Sequence, residues 1–421
     1  MRHPKILTTI RNYSLPLFWA DSLAGISVAL IAFPLSIAIA IASGAEPIHG
    51  LITAVIGGFL ISLVGGSRVQ IGGPTGAFIV IVFGVIAEHG YNGLLVATFM
   101  AGIILIVAGY YRMGRFIAYV PEAVVNGFTI GIAILIAFSQ LKDFLGLSFT
   151  KAPADFIETL IALWDARHTY QLETIGVSLL TLMLIVAFRR LAPRLPGLIV
   201  ALAIASYGVI FFDLPVDTIF SRFGELPSTI PTPQLPSFSF DQIRELLPTA
   251  FVIAFLAGAE SLLSAMVADR MSGGAHRPNA EVLAQGVANI ASPLFGGMPV
   301  TGAIARTATN VRAGGKTPVA GLIHALTVFA MLMLASRWVG HMAMPALAAL
   351  LILTAWNMSE PHNIRTHLKA PVSDRALMIL TCVLTVFVDL TVAIGVGVSL
   401  GLMLRLRSRV ISQKDWSKPQ H

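Results

Sequence analysis

The sequence predicts an all-α polytopic membrane protein, and three observations carry that prediction. Of the 421 residues, 56% are hydrophobic and only 12% are charged; ordinary soluble domains carry about 25% charged residues. The mean hydropathy is +0.82. Apolar runs recur from one end of the chain to the other, several of them long enough to cross roughly 30 Å of hydrocarbon as helices. A barrel would need segments of about ten residues alternating apolar with polar, and no such alternation occurs.

Fourteen spans follow in order. The first seven are Ser22 to Ser43, Leu51 to Val64, Thr75 to Ala87, Leu94 to Gly109, Ala123 to Leu141, Ile175 to Phe188 and Gly197 to Phe212. The second seven are Leu247 to Met271, Val282 to Phe295, Gly302 to Val311, Val319 to Ala335, Met342 to Trp356, Ala376 to Phe387 and Thr391 to Leu404. The first run is read as a span rather than a leader, because it exceeds the usual h-region of about 7–15 residues.

Charge sets the orientation. The formal charge is +7 and the isoelectric point is near 9.7, values that would suit a nucleic-acid partner if the basic residues clustered on one domain. They do not. With the N-terminus cytoplasmic and the spans alternating, 21 of the 28 Lys and Arg fall on one side, six on the other, and Arg306 within a span. The cytoplasmic set includes Arg112 and Arg115, then Arg189, Arg190 and Arg194, then Arg365, Lys369 and Arg375, and the tail from Arg405 to Lys418. Basicity here reports topology under the positive-inside rule, so no nucleic-acid partner is expected. Both termini are placed in the cytoplasm, in the cell (inner) membrane.

An internal repeat organises the chain. GGPTGAF at 72–78 and GGMPVTGAIAR at 296–306 share a Gly pair, a Pro and Thr-Gly-Ala, with Thr75 and Thr301 separated by 226 residues. Seven crossings lie in each half, so the second copy is inserted upside down, as in many secondary transporters. The organisation is a first repeat over 1–212, an external Pro-rich linker over 213–244 and a second repeat over 245–409.

The third and tenth spans are too short to cross alone, and each follows Gly-Gly and Pro, so each starts in mid-membrane. Non-helical backbone at that depth must be buried in protein or line a cavity. Inversion aims the two helix starts at each other, each with unpaired N–H groups and about half a positive charge. Thr75, Gly76 and Ala77 then face Thr301, Gly302 and Ala303 around a site suited to a small carboxylate, sulfate or bicarbonate. Arg306 adds a full charge, bringing the total to about +2. At span depth an Arg costs about 2.5–3.5 kcal/mol on insertion scales, so it needs an ion-pair partner such as Glu260 or a ligand. Glu260, in AFLAGAESLLSAMVA, is the coupling candidate, through a proton it carries or through Na⁺ shared with Ser264 one turn on.

Other signals carry less. The Gly pairs at 57, 65, 273 and 314 lack a Walker ending and read as helix-packing sites. His362 and His367 have only Glu360 nearby and do not make a metal site. Cys382 lies in an apolar run, Asp389 reads as a loop charge, and Asp143 reads as a local cap or pair. No Ser, His and acid set exists at membrane depth, so no enzyme and no bound cofactor are expected.

DSLAGISVALIAFPLSIAIAIASG, GGSRVQIGGPTGAFIVIV, LKDFLGL, AGAESLLSAMVADRM, AIARTATNVRAGGKTPVAG and AWNMSEPH closely resemble the sulfate permease family, solute carrier family 26 in animals. Within it they look most like the bacterial four-carbon dicarboxylate transporters. The resemblance implies a core domain of about 20–110 and 245–336 and a gate domain of about 121–212 and 340–405. It also implies a homodimer with elevator-like movement, substrate between the third and tenth helix starts, Arg306 as its cationic partner and Glu260 as the coupling acid. Two departures stand out: Leu35 follows Pro34 where many members have Gln, leaving Ser36 as the polar group on the first span, and the cytoplasmic STAS domain has no counterpart here. The expected activity is proton-coupled symport of fumarate or succinate, with sulfate or bicarbonate, Na⁺ coupling, or an uncoupled anion channel as alternatives.

Overall fold

The architecture is that of a computed structural model describing residues 3–114, 121–149, 155–192, 196–361, 369–388 and 390–407. Arg115, Lys151, Arg194, His362, Arg365, His367, Asp389 and the tail after Arg407 lie outside the described residues.

Helix α1 runs over Leu15–Ala42, with Pro34 inside it. Helix α2 covers Pro47–Val64 and loosens into a π-helical turn at Thr53–Gly57. That irregularity has a cause: the Thr53 hydroxyl accepts the N–H of Met298, and a side chain on Gly57 would strike Val300. The chain before the tenth span therefore lies directly on α2. Helix α3, Ile79–Tyr110, merges the third and fourth spans across a break at Gly90, whose φ of +68° suits glycine. Helix α4 (Glu122–Leu145) ends on Gly146 in the left-handed conformation. Helices α5 (Phe156–Asp165), α6 (Leu172–Leu191) and α7 (Gly197–Phe211) follow.

The linker holds one short helix, α8, Ile219–Phe223, opened by a Thr218 and Ser221 capping box. Helix α9, Phe240–Ser272, begins at a Ser239 and Gln242 capping box and stops at Gly273. Then come α10 (Pro278–Leu294), α11 (Ile304–Arg312), α12 (Val319–Gly340), α13 (Met344–Met358), α14 (Val372–Phe387) and α15 (Leu390–Arg407). Seven of the described helices are long and apolar enough to cross a membrane, and the shorter apolar ones include α7, α13 and most of α15.

One feature departs from an all-α reading. Gly72–Gly73 and Thr301–Gly302 form a two-stranded antiparallel ladder, β1 and β2, with Gly72 opposite Gly302 and Gly73 opposite Thr301. The reason is backbone accounting: extended chain away from water must pair its N–H and C=O groups, and here each broken segment serves the other.

Small residues decide how the helices pack. At the α3/α10 contact, a methyl group on Gly102 would lie 2.7 Å from the Ile290 N, and one on Gly286 2.7 Å from the Ile106 N. Such backbone proximity is the way membrane helices gain contact without a hydrophobic drive.

Connections between helices touch in two groups. In one, the Lys5 N–H donates to Gly65 and the Arg277 N–H to Gly66, while Asp21 accepts from the Lys316 and Thr317 N–H groups. In the other, Tyr91 Oη donates to the Gly296 carbonyl and His49 Nδ1 lies 2.6 Å from it, and Asn92 donates to Ser237. Asp143 belongs to this second group. It does not pair locally as the sequence suggests: Arg222, 79 residues away, donates to both its oxygens, at 2.8 and 3.1 Å, and reaches Asp217 as well. A fork of donors matches a carboxylate wherever the fold delivers one.

Candidate functional site

The two strands run past each other in opposite directions, and each enters its helix within a few residues. After β1 come Pro74, Thr75 and a tight turn over Gly76–Phe78 that leads into α3. After β2, Ala303 leads straight into α11. Both helix starts are thereby tied to one small ladder. Thr75, Gly76, Thr301, Gly302 and Ala303 are all buried, and Ala77 is partly so.

Arg306 sits in the first turn of α11 with 3% of its surface exposed. Its Nη2 donates to the Pro74 carbonyl at 3.0 Å and to Ser36 Oγ at 3.1 Å. Its Nη1 is buried without a hydrogen-bond partner and lies against Gly73, where a side chain would overlap it. The guanidinium thus joins β1, α1 and α11 and keeps one donor nitrogen uncommitted. No ion pair within 4.0 Å joins it to Glu260 among the described residues.

Glu260, partly buried on α9, accepts instead from Thr75 Oγ1 at 2.9 Å. The candidate coupling acid is therefore tethered to the candidate binding threonine of the other half. Thr301 turns elsewhere, donating to the Ala257 carbonyl one turn before Glu260. Ser264 and Glu260 have separate partners: the Ser264 hydroxyl donates to Thr307 Oγ1 at 3.0 Å, and that same oxygen accepts the Ile71 N–H.

Several site residues give no clear signal in the sequence. Ser36, by its pattern a poor substitute for Gln, is the α1 side chain that meets Arg306. Gln70 presses on Gly302 so closely that no side chain fits there. Met358 and Ile136, from α13 and α4, close over Gly76: a Cβ there would lie 2.9 Å from the Met358 sulfur and 3.5 Å from Ile136 Cδ1. No local pattern announces such partners, which lie far away along the chain.

The fold is that of a polytopic membrane protein in which two broken segments cross beside a buried guanidinium, and the relatives it matches are anion transporters. The chain belongs to the sulfate permease family, which it matches over residues 18–383. It is 42% identical over 383 residues to YvdB of Bacillus subtilis (strain 168), which is named as a candidate sulfate transporter; the match takes in 91% of this chain and 72% of that one. It is 32% identical to the bicarbonate transporter BicA of Synechocystis, over 89% of this chain and 67% of the relative. The solved transmembrane domain of a cyanobacterial BicA superposes with a TM-score of 0.82 at 29% identity, covering 91% of this chain and 99% of that one. The SLC26A9 structure, at 18% identity, shares the fold with a TM-score of 0.86 over 97% of this chain and 68% of its own.

Proposed function

We propose that this chain is a secondary active symporter that binds a small anion between the starts of α3 and α11 and couples its movement to a proton carried by Glu260. The observation that carries the reading is the ladder crossing with Arg306 beside it, which gathers two helix starts and a guanidinium at one buried point. The anion would be received by backbone N–H groups at Thr75 to Ala77, by Arg306 Nη1 and, on the second half, by the first N–H groups of α11 rather than by the expected Thr301 to Ala303, because Thr301 and Gly302 are paired in the ladder and the Ala303 N–H donates to the Ile71 carbonyl. Electrostatic balance then gives Glu260 its role, since two dipole ends plus Arg306 sum to about +2, and an ionised Glu260 would reduce that to about +1. A proton on Glu260 lets a dianion bind, and the Thr75 to Glu260 hydrogen bond supplies the contact by which each site reports the other's occupancy.

The resemblance of the sequence motifs to the bacterial four-carbon dicarboxylate transporters points to a dicarboxylate such as fumarate or succinate as the anion. A second reading, sulfate or bicarbonate as the anion, is favoured by the names of YvdB and BicA, and Na⁺ is the alternative driver. In the proposed architecture fourteen segments form two inverted repeats of seven, in the inner membrane with both termini cytoplasmic. The two groups of loop contacts support this, because each pairs connections that the alternating spans place on one side. A core of about 20–110 and 245–336 would shift against a gate of about 121–212 and 340–405 in a homodimer. Met358 and Ile136 would then be the gate surface across which Gly76 slides.

Uptake of labelled fumarate, sulfate and bicarbonate into proteoliposomes, under separately imposed proton and sodium gradients, tests the reading. Saturable accumulation of one anion driven by the proton gradient is expected. Unsaturating current without counterflow would indicate a channel and overturn it.

A further inference from the structure

Glu281 is a fully buried carboxylate that the transport reading leaves unused. It lies in the first turn of α10 and none of its surface is exposed. Its Oε2 accepts from the backbone N–H groups of Gly66 at 2.9 Å and Ser67 at 3.1 Å. Its Oε1 accepts from Ser261 Oγ at 3.0 Å and Gln285 Nε2 at 2.8 Å. Four donors thus fill the four acceptor positions that two carboxylate oxygens offer, and bonds to such an acceptor are roughly twice as strong as neutral ones. The donors come from three separate pieces of chain: the turn that follows α2, helix α9, and α10 itself.

That convergence reaches the anion site. Ser261 directly follows Glu260, and its oxygen also accepts from Gln70 Nε2 and Gln285 Nε2, both at 2.7 Å. Gln70 lies two residues before β1 and rests on Gly302 of β2. From Glu281, a hydrogen-bonded path therefore runs through Ser261 to Gln70, which continues along the chain into β1 and packs against β2, and a second runs through Gly66 and Ser67 into the segment that becomes β1. Two-residue strands cannot hold their register alone, since even longer isolated hairpins are marginal.

We propose that Glu281 is a positioning residue of the anion site: its carboxylate fixes the ladder register and the Glu260 turn of α9, and so sets anion affinity rather than the fold alone. The proposal rests on the anion reading for its kinetic consequence but has a structural consequence of its own. The Glu281→Gln change keeps the volume and puts a donor amide against existing donors. Ser261→Ala cuts the path to Gln70 while leaving the Gly66 and Ser67 bonds intact.

Both full-length variants would be purified and compared with the parent by amide hydrogen exchange and by proteoliposome uptake. Losing one such bond should speed exchange about tenfold at residues 66–73 and 300–303, with α4, α6 and α13 unchanged. KM for the transported anion should rise about tenfold with kcat held within about twofold. Parent-like exchange at both strands, a uniform rise across the chain, or an unchanged KM in either transport-competent variant overturns the proposal. If the parent transports none of the three anions, the transport reading fails instead, and the exchange pattern alone decides the role of Glu281.

Discussion

Gly73 has almost no freedom, because the Arg306 guanidinium occupies the space a side chain would need. A Gly73→Ala change must push Nη1 away or break the β1 and β2 pairing, so uptake efficiency should fall tenfold or more, about 1.4 kcal/mol, as measured by initial rates in proteoliposomes. Arg306→Lys should be nearly as damaging despite keeping the charge, since an ammonium cannot hold Ser36 and Pro74 while offering a further planar donor. Glu260→Gln carries a different signature: concentrative uptake should vanish while anion exchange survives, and retained accumulation would remove Glu260 from the coupling step. Glu260 was legible in the sequence because it stands alone among apolar or small neighbours, and Arg306 because it follows the repeated Thr-Gly-Ala by one turn. Ser36 was legible only as the polar group left on the first span, and Gln70, Thr307 and Glu281 were not legible at all, because their partners lie far away along the chain. Only the fold shows that Glu281 gathers donors from residues 66, 67, 261 and 285.

Among the elements, the broken helices could be read from Gly-Gly and Pro, but their mutual pairing could not. Composition says that extended backbone at depth must find partners, yet it does not name them, and the register of Gly73 with Thr301 is set by tertiary packing. The boundary between the third and fourth spans was legible: the polar stretch at 88–92 separates them in the sequence, and α3 breaks there at Gly90. Glycine roles at the helix surfaces separate in the same way. Gly286→Ala would place a methyl group 2.7 Å from backbone of α3 at Ile106, so the helices must part at a cost of about 1–3 kcal/mol. Gly176 on α6 has nothing within 4 Å of its would-be Cβ, and there alanine should stabilise by up to about 1 kcal/mol through helix propensity. Thermal unfolding in detergent should show a clear drop in Tm for Gly286→Ala and none for Gly176→Ala. Equal shifts would mean that α3 and α10 can part freely and that their close approach contributes little to stability.

Across the whole molecule, the antiparallel ladder has a topological consequence. In the proposed inverted arrangement, chains that pass each other in opposite directions send their helices to opposite faces of the membrane. The stretch from Ile79 to Gly90 and helix α11, Ile304–Arg312, are each roughly half a bilayer long at about 1.5 Å per residue. Exposed Glu88 should therefore lie outside and exposed Ala313 in the cytoplasm. The loop contacts agree, since Tyr91 meets Gly296 and Ser237 meets Asn92 in one group, while Lys316 and Thr317 meet Asp21 in the other. The lone cysteine makes the test direct. With Cys382 replaced by Ser, a cysteine at Glu88 should react with a membrane-impermeant maleimide in intact cells, and one at Ala313 only after permeabilisation. Labelling of both from the same side would contradict inverted half-helices, and with them the opposed helix starts on which anion binding depends.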